Sequence, residues 1–333
     1  MRQRHFWAQF VLAIVLLCGN ACGFGPWAQE AGGSDNLPVS GAGPYAKWSP
    51  DPQTPADEPN LITDNSADLL APTVLIRDDG GFIVWYERRE VGGGLGEIWV
   101  AEFPELTALS DRQPRHVLMA TYPWQAGDLR NPSVIRVSGD ELLLFYDAGL
   151  PSAIGVARST DGGETFVADA TPLLINAQAP SVSGFEGEMT LMFERPNQPG
   201  LFIAQVGDSL ALSIRAEPIL LPIDENGRFD RAKVGRPQLI SHQTAAGQIR
   251  HDVFYQGQSG QLGNNGEPES GIGHAAGFSL DFLERSLANG EPIVQPGAPY
   301  ETSPFVLLEP RRAIMLFSER TRVRRTIAVA FAQ

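Results

Sequence analysis

One unit recurs five times along this chain, and that repetition constrains the fold more than any other feature. A proline leads into an aliphatic strand, then a polar turn, then a second strand that ends in an aromatic and a polar residue. The copies start at Pro72 (PTVLIRDDGGFIVWYE), Pro132 (PSVIRVSGDELLLFYD), Pro180 (PSVSGFEGEMTLMFE), Pro237 (PQLISHQTAAGQIRHDVFYQ) and Pro304 (PFVLLEPRRAIMLFSE). The second strands align at Trp85-Tyr86-Glu87, Phe145-Tyr146-Asp147, Met192-Phe193-Glu194, Phe254-Tyr255-Gln256 and Phe317-Ser318-Glu319. A third strand of alternating small and aliphatic residues follows each hairpin (GEIWVAEF, SAIGVARS, GLFIAQVG, SGIGHAAGF, RTIAVAFA). Four copies add a fourth strand: HVLMATYP, TPLLIN, EPILLP and EPIVQP. In the fifth copy the chain stops after strand three, and Leu61-Ile62, in a context like that of Ile219-Leu220 and Ile293-Val294, is expected to supply the missing strand beside Val329.

The pattern predicts an all-β fold, a five-bladed β-propeller over 58–333, closed by an N-terminal strand that completes the last blade. Closure removes the free strand edges that invite association. A composition of 35 Gly and 26 Pro suits so many turns, and 43% hydrophobic residues suffice for a large core.

The first 21 residues read as a signal peptide. Arg2 and Arg4 precede the apolar run Phe6 to Leu17, which is short for a membrane span. Small residues then lead to Cys22, a pattern like a bacterial lipoprotein cleavage site, with plain secretion the other reading. The segment 22–57 is rich in Gly, Pro, Ser and Asp and is expected to be a flexible linker. The working place is therefore outside the cytoplasm, with a lipid anchor on Cys22 tying the protein to a membrane. Cys18 and Cys22 are the only cysteines, so the propeller itself contains none to form a disulfide or a cysteine zinc site. A net charge of −14 argues against nucleic acid as a partner. The five histidines show no metal-binding spacing and no nucleotide fingerprint occurs, so no cofactor is expected and no residue is marked as a metal ligand.

Ser159 to Phe166 (STDGGETF) fits the Asp-box turn pattern found between outer strands of propeller blades, and Gly277 to Phe282 holds a worn copy. With the Pro-led inner strands, this set of motifs resembles the arabinanase, levansucrase and invertase superfamily of five-bladed glycosidases. The resemblance implies an active site at one end of the central channel, with an Asp in blade one, a supporting Asp in blade two and a Glu acid in blade three. At the matching positions this chain has Ala71, Asn131 and Gln178. An amide cannot protonate a leaving group as a carboxylic acid does. Three acids lie nearby, each before its proline: Asp68, Asp128 and Glu301. They are the candidate catalytic groups, and Arg130, Asn131, Gln178 and Arg236 are the candidate substrate-binding groups. If all face inward, the site presents carboxylates and guanidiniums to sugar hydroxyls or to an anionic sugar. Three functions remain open at this stage. They are a glycan-binding propeller with degenerate catalytic positions, an active glycoside hydrolase using displaced carboxylates, and a lipid-anchored scaffold for a protein partner. The Gly- and Asn-rich stretch 256–270 is expected to be a mobile loop, which as a plug would favour the scaffold. Glu87, Asp147, Glu194 and Glu319 are read as structural acids rather than a catalytic ring.

Overall fold

A computed structural model describes residues 44–47, 61–107, 114–263, 266–286, 290–295, 300–309, 312–320 and 324–332. The signal-like stretch, Cys22 and nearly all of the 22–57 segment lie outside the described residues.

The chain forms five sheets, antiparallel except for one short parallel pair at the edge of the fifth, arranged as a five-bladed β-propeller. Blade one contains Ala67–Ile76, Phe82–Glu90, Gly96–Phe103 and Arg115–Leu118. Blade two contains Leu129–Ser138, Glu141–Ala148 and Ala153–Ser159, with the short outer strands Val167–Ala168 and Leu174–Ile175. Blade three contains Gln178–Phe185, Glu188–Arg195, Gln198–Val206 and Leu212–Ile214. Blade four contains Lys233–Gln243, Ile249–Leu262, Pro268–Ser279 and Phe282–Arg285. Blade five contains Thr302–Glu309, Arg312–Arg320 and Arg325–Ala332.

The core lies between blades rather than inside any one of them. Alternate residues of one strand face opposite neighbours, so each middle strand is buried on both sides and reads as an unbroken apolar run. Trp85 packs with Leu144 and Tyr146 of blade two, whereas Val84 and Tyr86 pack with Leu316 and Val329 of blade five. The same arrangement recurs at Phe145 with Leu191, at Met192 with Val253 and at Phe254 with Met315.

Every inner strand breaks register at the same place, just before its proline. The residue preceding each proline is left-handed: Ala71 (φ 50°), Asn131 (48°), Ala179 (49°), Arg236 (43°) and Ser303 (54°). Proline has no N–H to give, and a left-handed residue turns its own N–H out of the ladder, so a bulge forms and a donor is left over. At four of the five bulges the preceding blade accepts it. Asn131 N–H bonds Glu87 Oε2 (3.3 Å), Ala179 N–H bonds Asp147 Oδ1 (3.1 Å), Arg236 N–H bonds Glu194 Oε1 (2.6 Å) and Ala71 N–H bonds Ser318 Oγ (2.9 Å). A second set of stitches sits one step on: Val134 N–H bonds Thr73 Oγ1, Val182 N–H bonds Ser133 Oγ, and Val306 N–H bonds Gln238 Oε1.

Closure is made by two N-terminal segments. Ile62 bridges Ile327, at the position that Leu220 takes against Leu201 in blade three. The longer contact is a strand within the expected linker, Tyr45–Lys47, paired antiparallel with Phe331 and its neighbours. Val294–Gln295, expected in blade four, runs parallel to that strand as the outer edge of blade five. The closing strand brings Lys47 between Glu301 (2.8 Å) and Glu319, with side-chain exposures of 4%, 0% and 3%. Burial pulls the Lys47 ammonium down, but Glu301 and Glu319 outweigh it and hold its pKa above the usual lysine value.

Two stability outcomes follow. Lys47→Ala removes the ammonium that two buried carboxylates share and is expected to cost about 3–5 kcal/mol in urea unfolding. A loss below about 1 kcal/mol would contradict the buried clasp. Ala179→Gly keeps the N–H to Asp147 and relieves the left-handed strain, so it is expected to gain about 1 kcal/mol. Destabilisation there would show that the bulge carries no strain.

Candidate functional site at the propeller axis

The five bulges aim their side chains at the axis. Ala71, Asn131, Ala179, Arg236 and Ser303, with the prolines after them, line a central cavity of about 30 Å³. Its lining sets the polar side chains of Asn131, Arg236 and Ser303 among five prolines. None of residues 256–270 lines this cavity. The expected loop is instead largely a hairpin arm, strand to Leu262 and again from Pro268. Its Glu267 pairs with Arg320 and Arg325 of blade five.

The three candidate acids are not brought together as an open constellation. Asp68 Oδ1 accepts the backbone N–H of Arg325 at 2.7 Å. Asp128 Oδ1 accepts Arg89 Nη2 and Gly96 N–H, both at 2.8 Å. Glu301 was expected to face the channel mouth, but its side chain is fully buried beneath Lys47. Of the candidate binding residues, Asn131 and Arg236 line the axial cavity, and Arg130 and Gln178 do not. Arg130 Nη2 meets Asp147 Oδ2 at 3.0 Å, Asn131 Nδ2 donates to Asp147 Oδ1 at 2.6 Å, and Gln178 Nε2 donates to Glu194 Oε2 at 3.1 Å. Asn131 Oδ1 is buried with no partner among the described residues. Arg236 Nη1 donates to Ser303 Oγ at 2.7 Å.

Glu87, Asp147 and Glu194, read from sequence as structural, accept the bulge N–H groups and pair with Arg89, Arg130 and Lys233. All three are at most 3% exposed. Burial pushes Glu87 and Asp147 above the usual carboxylate range, against the pull of Arg89 on the first and Arg130 on the second. Both also feel the Arg236 guanidinium from blade four. Arg89 Nη2 holds Glu87 Oε1 (3.0 Å) and Asp128 Oδ1 (2.8 Å) at once. The equivalent position in blade five is Ser318, paired with Thr302, not Glu319, so the aligned end of that strand shifts by one residue.

Two features lie away from the axis. In the turn after Ala153–Ser159, Asp161 accepts the N–H and hydroxyl of Thr165 and the Ser159 hydroxyl. Although burial opposes it, these bonds pull its carboxyl down to about 2. Phe166 then meets Trp85 of blade one edge-on at 6.4 Å, so this turn also ties two blades. In blade four a polar row crosses the sheet: His242 Nε2 to Asp252 (2.9 Å), Asp252 to His274 Nε2 (2.8 Å), and His274 Nδ1 to Ser286 Oγ (2.5 Å). The His274 ring is buried and lies 4.7 Å from Phe254, which itself meets Tyr45 of the closing strand. This places the row in the seam between blades four and five, where it binds strands together. Among the described residues no three His, Cys, Asp or Glu side chains are placed to hold one metal ion.

Burial holds the neighbouring His251 below the usual histidine range. The unfolded chain therefore takes up that proton first as pH falls, and the neutral ring's stabilisation is complete above about 6.5 and lost below it. Urea unfolding of the wild type and of His251→Gln at pH 7 and pH 5 isolates the effect. The wild type is expected to lose stability relative to the variant at pH 5, and a difference that is flat or grows the other way would contradict the assignment.

No family model matches the chain, and no curated protein does. Solved structures match in fold. One reports that the GH130 family of mannoside phosphorylases contains glycoside hydrolases that target β-1,2 mannosidic linkages in Candida mannan. It aligns with a TM-score of 0.64 at 12% identity, covering 88% of this chain and 95% of that one. A GH43_1 enzyme from Xanthomonas citri aligns at 0.58 and 15%, covering 82% and 89%. A complex of BT0996 with RGII aligns at 0.60 and 13%, covering 83% and 90%. The chain thus has the five-bladed fold of glycoside-hydrolase propellers.

Proposed function

We propose that this protein is a glycan-binding propeller of glycosidase type that does not hydrolyse what it binds, and that it works outside the cytoplasm. One observation carries the reading. The three positions that resemble the glycosidase acids hold Ala71, Asn131 and Gln178, and the two amides are tied to Asp147 and Glu194. Hydrolysis needs a carboxylic acid on the leaving oxygen and a second free carboxylate opposite it. The displaced acids offer no such pair: Glu301 is buried under Lys47, and one guanidinium holds both Asp128 and Glu87. The carbohydrate chemistry of the similar folds supports a sugar as ligand. The remaining amides and guanidiniums around the axis are groups that recognise hydroxyls and anions without transferring protons. The N-terminal 21 residues serve export, Cys22 carries a lipid anchor, and most of 22–57 tethers the propeller to the membrane.

A glycan array probed with the full mature chain, followed by product analysis on each hit, tests this. The expected result is binding at millimolar concentration or tighter with no released sugar. Turnover of a bound glycan would replace the reading with the hydrolase, and no binding at all would leave the scaffold.

A further inference from the structure

The cations around the axis are not equivalent. Arg89 holds Glu87 and Asp128, Arg130 holds Asp147, Lys233 holds Glu194 and Arg325 holds Glu267. Arg195, at the end of Glu188–Arg195, lies over Phe193 and Phe202. Arg236 alone among these both lines the axial cavity and has no carboxylate within ion-pair distance among the described residues. Its backbone is fixed by Pro237 and by the bond to Glu194, and its Nη1 is fixed on Ser303. A guanidinium has five N–H donors, so most of the fork remains uncommitted and is held in one orientation. Across the cavity lining, Asn131 Oδ1 is a buried acceptor still without a donor among the described residues.

We propose that Arg236 is the anchor for the carboxylate of an acidic sugar, so that the ligand class is a uronate-bearing glycan. This rests on the glycan-binding reading above and narrows it. The lining of the cavity fits the assignment: Arg236, Asn131 and Ser303 stand together among prolines, where a polar substituent pointing down the axis meets them. A planar carboxylate matches the fork with two parallel hydrogen bonds. A ligand hydroxyl beside it satisfies Asn131 Oδ1.

Calorimetric titration of the full chain with an oligogalacturonide, and with the same oligosaccharide fully methyl-esterified, separates this inference from the reading it rests on. The free acid is expected to bind about tenfold more tightly than the ester. Arg236→Gln should level the two affinities, and Arg236→Lys should keep part of the preference; thermal melts confirm that both variants fold. Equal binding of acid and ester by the wild type overturns the carboxylate anchor and leaves glycan binding standing. So does a preference that survives in Arg236→Gln, or a sulfated neutral oligosaccharide binding more tightly than the uronate. Failure of every one of these glycans to bind overturns the uronate inference, and the glycan array alone decides the wider reading.

Discussion

A left-handed residue before a proline, its N–H received by the blade before it, is the constraint on which this structure depends. The left-handed bulge appears at all five inner strands. At three of them the acceptor is a buried carboxylate: Glu87, Asp147 or Glu194. The device does two things at once. It ties neighbouring blades at the axis. It also turns the side chain of the left-handed residue toward the channel, so the identity of that residue decides what the axis presents. A buried acid with fewer partners would be expensive, and these acids accept several charged or backbone donors each.

The second constraint is closure. A ring of blades is only as firm as its seam, and here the seam between first and last segments is sealed by a three-residue strand. So short a strand contributes few ladder bonds. Lys47 compensates by placing its ammonium between Glu301 and Glu319 inside blade five. The acid that proximity in sequence offered as catalytic is thereby committed to holding the ring shut.

Much of the fold was legible because the repeat is local. Each Pro-led hairpin carries its strand pattern within about twenty residues, and Ile62 sits against the third strand of blade five as its likeness to Leu220 implied. The closing strand was not legible, because Tyr45–Lys47 is three residues inside a stretch whose composition reads as tether. The role of Glu301 was hidden for the same reason, since its partner lies at the other end of the chain. The register of blade five slipped by one, because Phe317-Ser318-Glu319 mimics the other strand ends while Ser318 is the residue opposite Thr302. Of the residues that sequence marked for binding, Asn131 and Arg236 line the axial cavity, whereas Arg130 and Gln178 do not. Sequence did not show which of those charges were already paired, because ion pairs such as Arg89 with Asp128 join different blades.

Equilibrium unfolding of Asp147→Ala tests the central claim most directly. That carboxylate receives Ala179 N–H, Asn131 Nδ2 and Arg130 at once, so its removal leaves buried donors on two blades unpaired. The account requires a loss of about 3 kcal/mol or more. An Asp147→Ala protein as stable as the wild type would mean that the stitches do not hold the blades, and that these acids are free for another purpose.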